Sequence, residues 1–186
     1  YKKRRIKFKK QTIKGVFLIQ PEPLRDERGL FIRYFCKKVF SKYKLIHNIE
    51  QCNISENKYK HTLRGFHYQT GKYGEGKTFT CIRGKIFDIV IDLRRSSHTY
   101  KKWISFEISD LNRNSIHIPP GCANAFLTLE KNTVVHYYCS NSYSPKHEKG
   151  IKYNDKGFKF KWPVKPKIIS KKDRNHDDFK DTDSIV

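Results

Sequence analysis

Three side chains capable of chemistry fall inside one short run, Thr62-Leu63-Arg64-Gly65-Phe66-His67-Tyr68-Gln69. The run has the β-branched and aromatic character of a strand, yet it carries Arg64, His67 and Gln69. A lone buried histidine is more often a hydrogen-bonded core residue than a catalyst. A nearby arginine shifts that balance, because a cation withdrawn from water needs an anionic partner. In a regular strand Arg64 and His67 would point to opposite faces. For both to serve one pocket, Gly65 must mark a bulge or bend.

Other chemistries lack their signatures. A metal centre built on strands would show an H-x-H pair, a Glu close behind it and a further His. His67 has no such neighbour, and His47, His61, His98, His117, His136, His147 and His176 show no ligand spacing, so no metal is expected. No G-x-S-x-G elbow marks a nucleophilic serine, and no Walker-type or G-x-G-x-x-G loop marks a phosphate cradle. What is left is proton transfer by side chains alone, without a cofactor.

The elements that must position these residues read as β throughout. Short runs rich in Ile, Val, Phe, Tyr and Thr recur at Ile13–Gln20, Phe31–Phe35, Ile49–Ser55, Leu63–Gln69 and Lys77–Ile82. They continue at Ile86–Leu93, Trp103–Ile108, Ser115–Ile118, Ala125–Leu129 and Thr133–Ser140. Arg83-Gly84-Lys85 reads as a tight hairpin, and Ile104, Phe106 and Ile108 alternate with polar residues as in a half-buried strand. One short helix is expected over Lys37–Leu45, where Val39, Phe40 and Tyr43 share a face. Many short strands with few helices predict an all-β sandwich or barrel, with the jelly-roll one common solution.

The 186 residues suffice for a single domain, and no repeat or long linker divides them. The segment from about residue 172 to 186, dense in Asp and Lys, reads as a peripheral tail. Five scattered cysteines without C-x-x-C spacing suit a reduced compartment, and no run is long and apolar enough for a membrane helix. The basic start lacks the apolar stretch of a secretory signal, so a cytoplasmic location is expected. With no Met anywhere, the sequence is expected to begin inside a longer reading frame. The net charge of +22 raises nucleic-acid binding as a reading, but no zinc-finger, helix-turn-helix or aromatic RNA-binding motif accompanies it. A lysine-rich solvated surface, able to attract an anionic small molecule, explains it more simply.

Taken in order, the motifs resemble those of the dTDP-4-dehydrorhamnose 3,5-epimerases over roughly Ile13 to Asp173. Asp26-Glu27-Arg28-Gly29-Leu30-Phe31 is similar to the family's D-x-R-G-x-F, and Gln51-Cys52-Asn53-Ile54-Ser55 to its Q-x-N-x-S. Leu63–Gln69 resembles L-R-G-x-H-x-Q, Lys77 stands at the family's lysine, and Asp88–Arg94 resembles D-x-x-x-D-x-R. Pro119–Phe126, Tyr137, Tyr143–Glu148, Asn154-Asp155 and Ile169–Asp173 complete the series.

The resemblance implies a homodimer of cupin-type jelly-roll subunits, a neighbouring strand helping to complete each pocket, acting on a nucleoside-diphosphate 4-keto-6-deoxyhexose. It implies His67 as the base, Asp173 as its partner, Lys77 as the enolate stabiliser and Tyr137 as the acid on the far face. Arg28, Arg64 and Lys172 would meet the diphosphate, Gln51 and Asn53 the sugar or phosphate oxygens. Tyr143 would stack on the nucleotide base, with Glu148 a further nucleotide contact and Phe31 and Asn124 at the substrate. Two positions depart from the family. Asn124-Ala125-Phe126 stands where H-G-F is usual, and Arg33 stands where a Glu is common. These departures keep open a single-carbon epimerase on a CDP- or GDP-linked sugar. A non-catalytic sugar-nucleotide binding protein is the alternative outside enzymology.

Overall fold

The computed structural model describes residues 6–45 and 48–185, so His47 and the first five residues lie outside it. In chain order the strands begin with β1 (Ile6–Lys10), β2 (Phe17–Pro21), β3 (Leu24–Asp26), β4 (Gly29–Phe31) and β5 (Gln51–Asn57). They continue with β6 (Thr62–Gln69), β7 (Lys77–Arg83), β8 (Lys85–Asp92), β9 (Trp103–Ser109) and β10 (Ser115–Ile118). The last are β11 (Cys122–Thr128), β12 (Thr133–Cys139), β13 (Glu148–Gly150) and β14 (Ile168–Ile169). Two short helices, α1 (Lys37–Lys42) and α2 (Lys171–Arg174), accompany them.

Two sheets carry the fold. The first runs β1-β2-β10-β7-β12-β5 and the second β13-β6-β11-β8-β9, with β14 also pairing β6. β3 and β4 form a separate ribbon. The core between the sheets joins Phe79, Cys81 and Val135 of the first to Val90, Phe106, Ile108 and Phe126 of the second. A further apolar layer covers the outer side of the second sheet, where Phe158, Phe160, Trp162 and Phe179 pack on Phe66, Ile89, Ile91 and Ala125. Strands buried on both faces lose the period-two polar alternation, and β11 is buried at every position. On the first sheet, α1 sets Phe40 against Phe17, Ile19 and Tyr138.

The all-β sandwich with few short helices is what the sequence predicts; several boundaries differ. The Ile13–Gln20 run enters a strand only at Phe17, because residues 13–16 turn, with Val16 N–H bonded to Ile13 C=O. Of the expected Phe31–Phe35 strand, only Phe31 is in β4. The helix stops at Lys42, and Lys44 takes a positive φ of 55°. β1 was hidden by its lysines, although Ile6 and Phe8 alternate with them and pack inward.

Arg83-Gly84-Lys85 is not a hairpin. β7 pairs with β10 and β12, whereas β8 pairs with β9 and β11. One glycine at φ 77° is too short for a two-residue hairpin loop and instead carries the chain from one sheet to the other. A Cβ there would lie 2.6 Å from Thr133 Oγ1, so the corner has room only for glycine.

The C-terminal segment, expected at the periphery, lies outside the second sheet and is pinned to it. Ile185 exchanges backbone hydrogen bonds with Leu93 and Arg95, and Lys101 pairs with Asp181 at 2.5 Å. Among the described residues, no helix is long and apolar enough to cross a membrane.

Candidate active site

The site begins with an irregularity in β6. Its pairing with β11 runs Leu63↔Leu127, Arg64↔Phe126 and Gly65↔Ala125, then resumes at His67↔Asn124. Phe66 is therefore an extra residue, and the strand bulges as the sequence requires if Arg64 and His67 are to share a pocket. Gly65 has φ 111°, and a Cβ on it would lie 2.6 Å from Asn124 O and 2.8 Å from Ala125 Cα. The bulge turns Arg64 and His67 into the same cleft while Phe66 points into the aromatic layer behind the sheet.

His67 Nε2 lies 2.6 Å from Asp173 Oδ1, and Asp173 Oδ2 accepts the Gly65 N–H at 3.1 Å. Asp173 sits in α2, where Ser170 Oγ caps its N–H at 3.0 Å. Burial alone would raise the Asp173 pKa, but His176, His67 and the Gly65 N–H outweigh it and hold the carboxyl well below its usual range. The pair thus joins an ionised carboxylate to an imidazole that is about one-third exposed. His117 shows the contrasting case. It is buried, bonded to Thr78 at 2.9 Å and pushed down to about 4 by desolvation, a core histidine with no opening to the cleft.

The opposite wall comes from the first sheet. Lys77 opens β7 and Tyr137 lies near the end of β12, and both line the cleft with His67. Strand alternation sends the adjacent tyrosines to opposite faces, and packing decides which is which: Tyr138 is buried against Phe35 and Phe40, whereas Tyr137 stacks on Phe79 at 4.7 Å inside the sandwich. Burial raises the Tyr137 pKa, with Cys139 and Glu75 adding to it, so the phenol keeps its proton. Lys77 pairs with Glu75 at 2.9 Å, both side chains nearly buried.

Gln51 and Asn53 alternate onto the cleft face of β5 and line one end of the cleft with Tyr143 and Glu148. Gln51 accepts the Tyr143 N–H, the Tyr143 hydroxyl donates to Glu148 Oε2 at 2.7 Å, and Lys172 pairs with that oxygen. Gln69 accepts the Ser144 N–H at 2.6 Å and donates to Ser142 C=O at 3.1 Å, fixing the loop that carries Tyr143. Arg64 donates to Asn57 Oδ1 at 2.8 Å from the other end.

Asn124 lines the cleft and donates to Asp88 Oδ2 at 2.8 Å. Asp88 is fully buried, and desolvation pushes its carboxyl up to about 8 against the opposing effects of Asn124 and Lys77. The folded state therefore holds a proton that the unfolded chain releases near its ordinary value of 3.8. Stability from this group is complete below that value and is lost as pH climbs through about 8. Asp88→Asn, which cannot ionise, is expected to flatten this decline. Urea unfolding of both proteins at the two ends of the window checks it, and parallel declines would rule it out.

Not every expected residue reaches the cleft. Arg28 and Phe31 sit on the exposed β3–β4 ribbon, where Arg28 pairs with Asp26 at 2.5 Å and Phe31 is 53% exposed. Conversely, sequence reasoning missed Glu75, Asp88 and His176. Glu75 carried a weak signal, being two residues before Lys77. Asp88 opens the D-x-x-x-D-x-R motif, which by itself implies no role for it, and nothing local in the sequence marks His176.

This geometry can be set beside known proteins. The sequence model of dTDP-4-dehydrorhamnose 3,5-epimerase matches residues 10–181. A dTDP-4-dehydrorhamnose 3,5-epimerase of Methanothermobacter thermautotrophicus is 39% identical over 91% of this chain and 92% of its own. That of Shigella flexneri is 36% identical over 95% of this chain and 98% of its own. The crystal structure of the Bacillus anthracis enzyme with TDP and PPi bound superposes with a TM-score of 0.91 at 32% identity, covering 94% of this chain and all of that one. Sequence and fold agree over most of the chain, and the chain belongs to the dTDP-4-dehydrorhamnose 3,5-epimerase family.

Proposed function

We propose that the chain inverts carbons 3 and 5 of a dTDP-linked 4-keto-6-deoxyhexose by proton transfer between His67 and Tyr137. The observation that carries this reading is the His67–Asp173 pair facing Tyr137 and Lys77 across one cleft. The ketone at carbon 4 acidifies the hydrogens on its neighbours. With Nε2–H directed at Asp173, the lone pair of His67 sits on Nδ1 and accepts a proton from carbon. The electron pair left behind moves onto the carbonyl oxygen as an enolate, which the Lys77 ammonium stabilises. Tyr137 then gives its proton to the same carbon from the other side.

Inversion follows from the architecture. His67 stands on the second sheet and Tyr137 on the first, so base and acid meet the ring from opposite faces. Glu75 keeps the lysine ammonium paired until substrate arrives. At the nucleotide end, Tyr143 offers its ring to the base, with Glu148, Gln51 and Asn53 around it and Lys172 and Arg64 placed for the diphosphate. Arg28 and Phe31 serve the site through a homodimer in the cytoplasm, their ribbon reaching the cleft of a second copy.

A second reading rests on Asn124, an amide where the family usually has a histidine: proton exchange at a single carbon. Incubation of the enzyme in heavy water with dTDP-, CDP- and GDP-linked 4-keto-6-deoxyhexoses, followed by NMR of the ring, tests both. Label at carbons 3 and 5 of the dTDP sugar is expected. Label at one carbon supports the second reading, and no label on any of the sugars overturns both.

A further inference from the structure

His176 is a second imidazole set against the carboxylate that holds His67. It follows α2 by two residues, and its ring stands 5.9 Å from the His67 ring at 81°. Its Nε2 is buried, lies 3.4 Å from Asp173 Oδ1 and makes no hydrogen bond. The space it occupies is shaped for it. Gly150 of β13 is the strand partner of His67, and a Cβ there would fall 2.1 Å from His176 Nε2. The ring thus sits over a glycine, its Nε2 turned toward a shared carboxylate in ion-pair range but without a hydrogen bond.

We propose that His67, Asp173 and His176 form an inhibitory site for a zinc-type divalent cation. One ligand atom from each residue lies within 4.8 Å of the others. Two imidazoles and a carboxylate are a donor set suited to Zn²⁺, which binds such atoms at roughly 2.0 to 2.2 Å with water completing a tetrahedron. Ligand atoms around such an ion stand on the order of 3.4 Å apart. The His176–Asp173 spacing already meets this value, and the His67–Asp173 spacing of 2.6 Å opens modestly as the ion replaces the shared proton. Asp173 Oδ2 keeps the Gly65 N–H, which orients the carboxylate in either state.

The consequence for catalysis rests on the base assignment above. An ion on His67 Nε2 moves the ring proton to Nδ1, the nitrogen that must accept a proton from the sugar. The imidazole stays neutral but has no lone pair left for carbon. Binding of the metal and turnover of the sugar are therefore mutually exclusive.

The test uses the full-length protein stripped of metal. Titration with Co²⁺, read by the visible absorption of four-coordinate cobalt, is expected to saturate at one ion per chain in the wild type. Zn²⁺ is expected to displace that ion and to suppress solvent-deuterium exchange into the sugar, with chelator restoring it. His176→Gln should weaken cobalt binding by roughly tenfold or more, and zinc inhibition, read against the variant's own zinc-free exchange rate, by the same factor. Cys52→Ser is the control, because Cys52 Sγ lies 2.9 Å from His136 Nε2 and offers a rival thiol–imidazole pair. Unchanged cobalt binding in His176→Gln, or its loss in Cys52→Ser alone, would overturn the proposal. The cobalt spectrum needs no substrate, so it decides the metal site even if the sugar reading fails.

Discussion

His67→Asn is expected to lower solvent-deuterium exchange into the sugar ring by about 10²- to 10⁴-fold while leaving dTDP binding almost unchanged. The amide is shorter than the imidazole, so it gives up the Nε2 bond to Asp173, and it has no basic lone pair for carbon. The nucleotide contacts proposed above, Tyr143, Glu148, Gln51 and Lys172, form a linked cluster at another part of the cleft. Tyr137→Phe should part from this pattern. It keeps the base, so the enolate forms and some exchange continues, yet no acid remains on the far face and inverted product falls away. Proton exchange by NMR and product stereochemistry, measured on the same samples, separate the two roles. Wild-type exchange in His67→Asn would remove His67 as the base, and loss of exchange in both variants would make Tyr137 a partner in deprotonation.

Gly65→Ala is expected to cost about 2 to 5 kcal/mol of stability, the sum of an unfavourable positive φ and an overpacked contact. The added methyl would meet Asn124 O at 2.6 Å and Ala125 Cα at 2.8 Å, both parts of a neighbouring backbone that cannot swing aside. Relief requires β6 and β11 to part, and that displaces His67 from Asp173 because Gly65 N–H and His67 share the same carboxylate. Turnover should therefore fall more steeply than folding. Gly29 provides the comparison, since its φ of 119° is similar but nothing lies within 4 Å of its Cβ position. Gly29→Ala should show the conformational cost alone. Equal urea midpoints for the two variants would mean that the contact at Gly65 contributes nothing.

Local chemistry in the sequence was enough to determine the β class, the turn-separated strands and the ordered motifs that carry the family. It also required a bulge at Gly65 if Arg64 and His67 were to act together, because strand alternation allows no other way. The amino-acid order could not say which strands pair. Arg83-Gly84-Lys85 reads as a hairpin by local rules, and only the sandwich shows that its two strands belong to different sheets. Nor could alternation alone reveal which of Tyr137 and Tyr138 faces the cleft, since that depends on which side of β12 receives α1. Arg28 and Phe31 satisfied the motif yet stand on an exposed ribbon, because a motif records residue types and not where a two-stranded turn projects. His176 carried no local signal at all. It stands three residues beyond Asp173, and it meets that carboxylate because Gly150, from a distant strand, leaves room for its ring. Contacts between residues far apart in the chain are set by packing, and packing is what the tertiary structure alone decides.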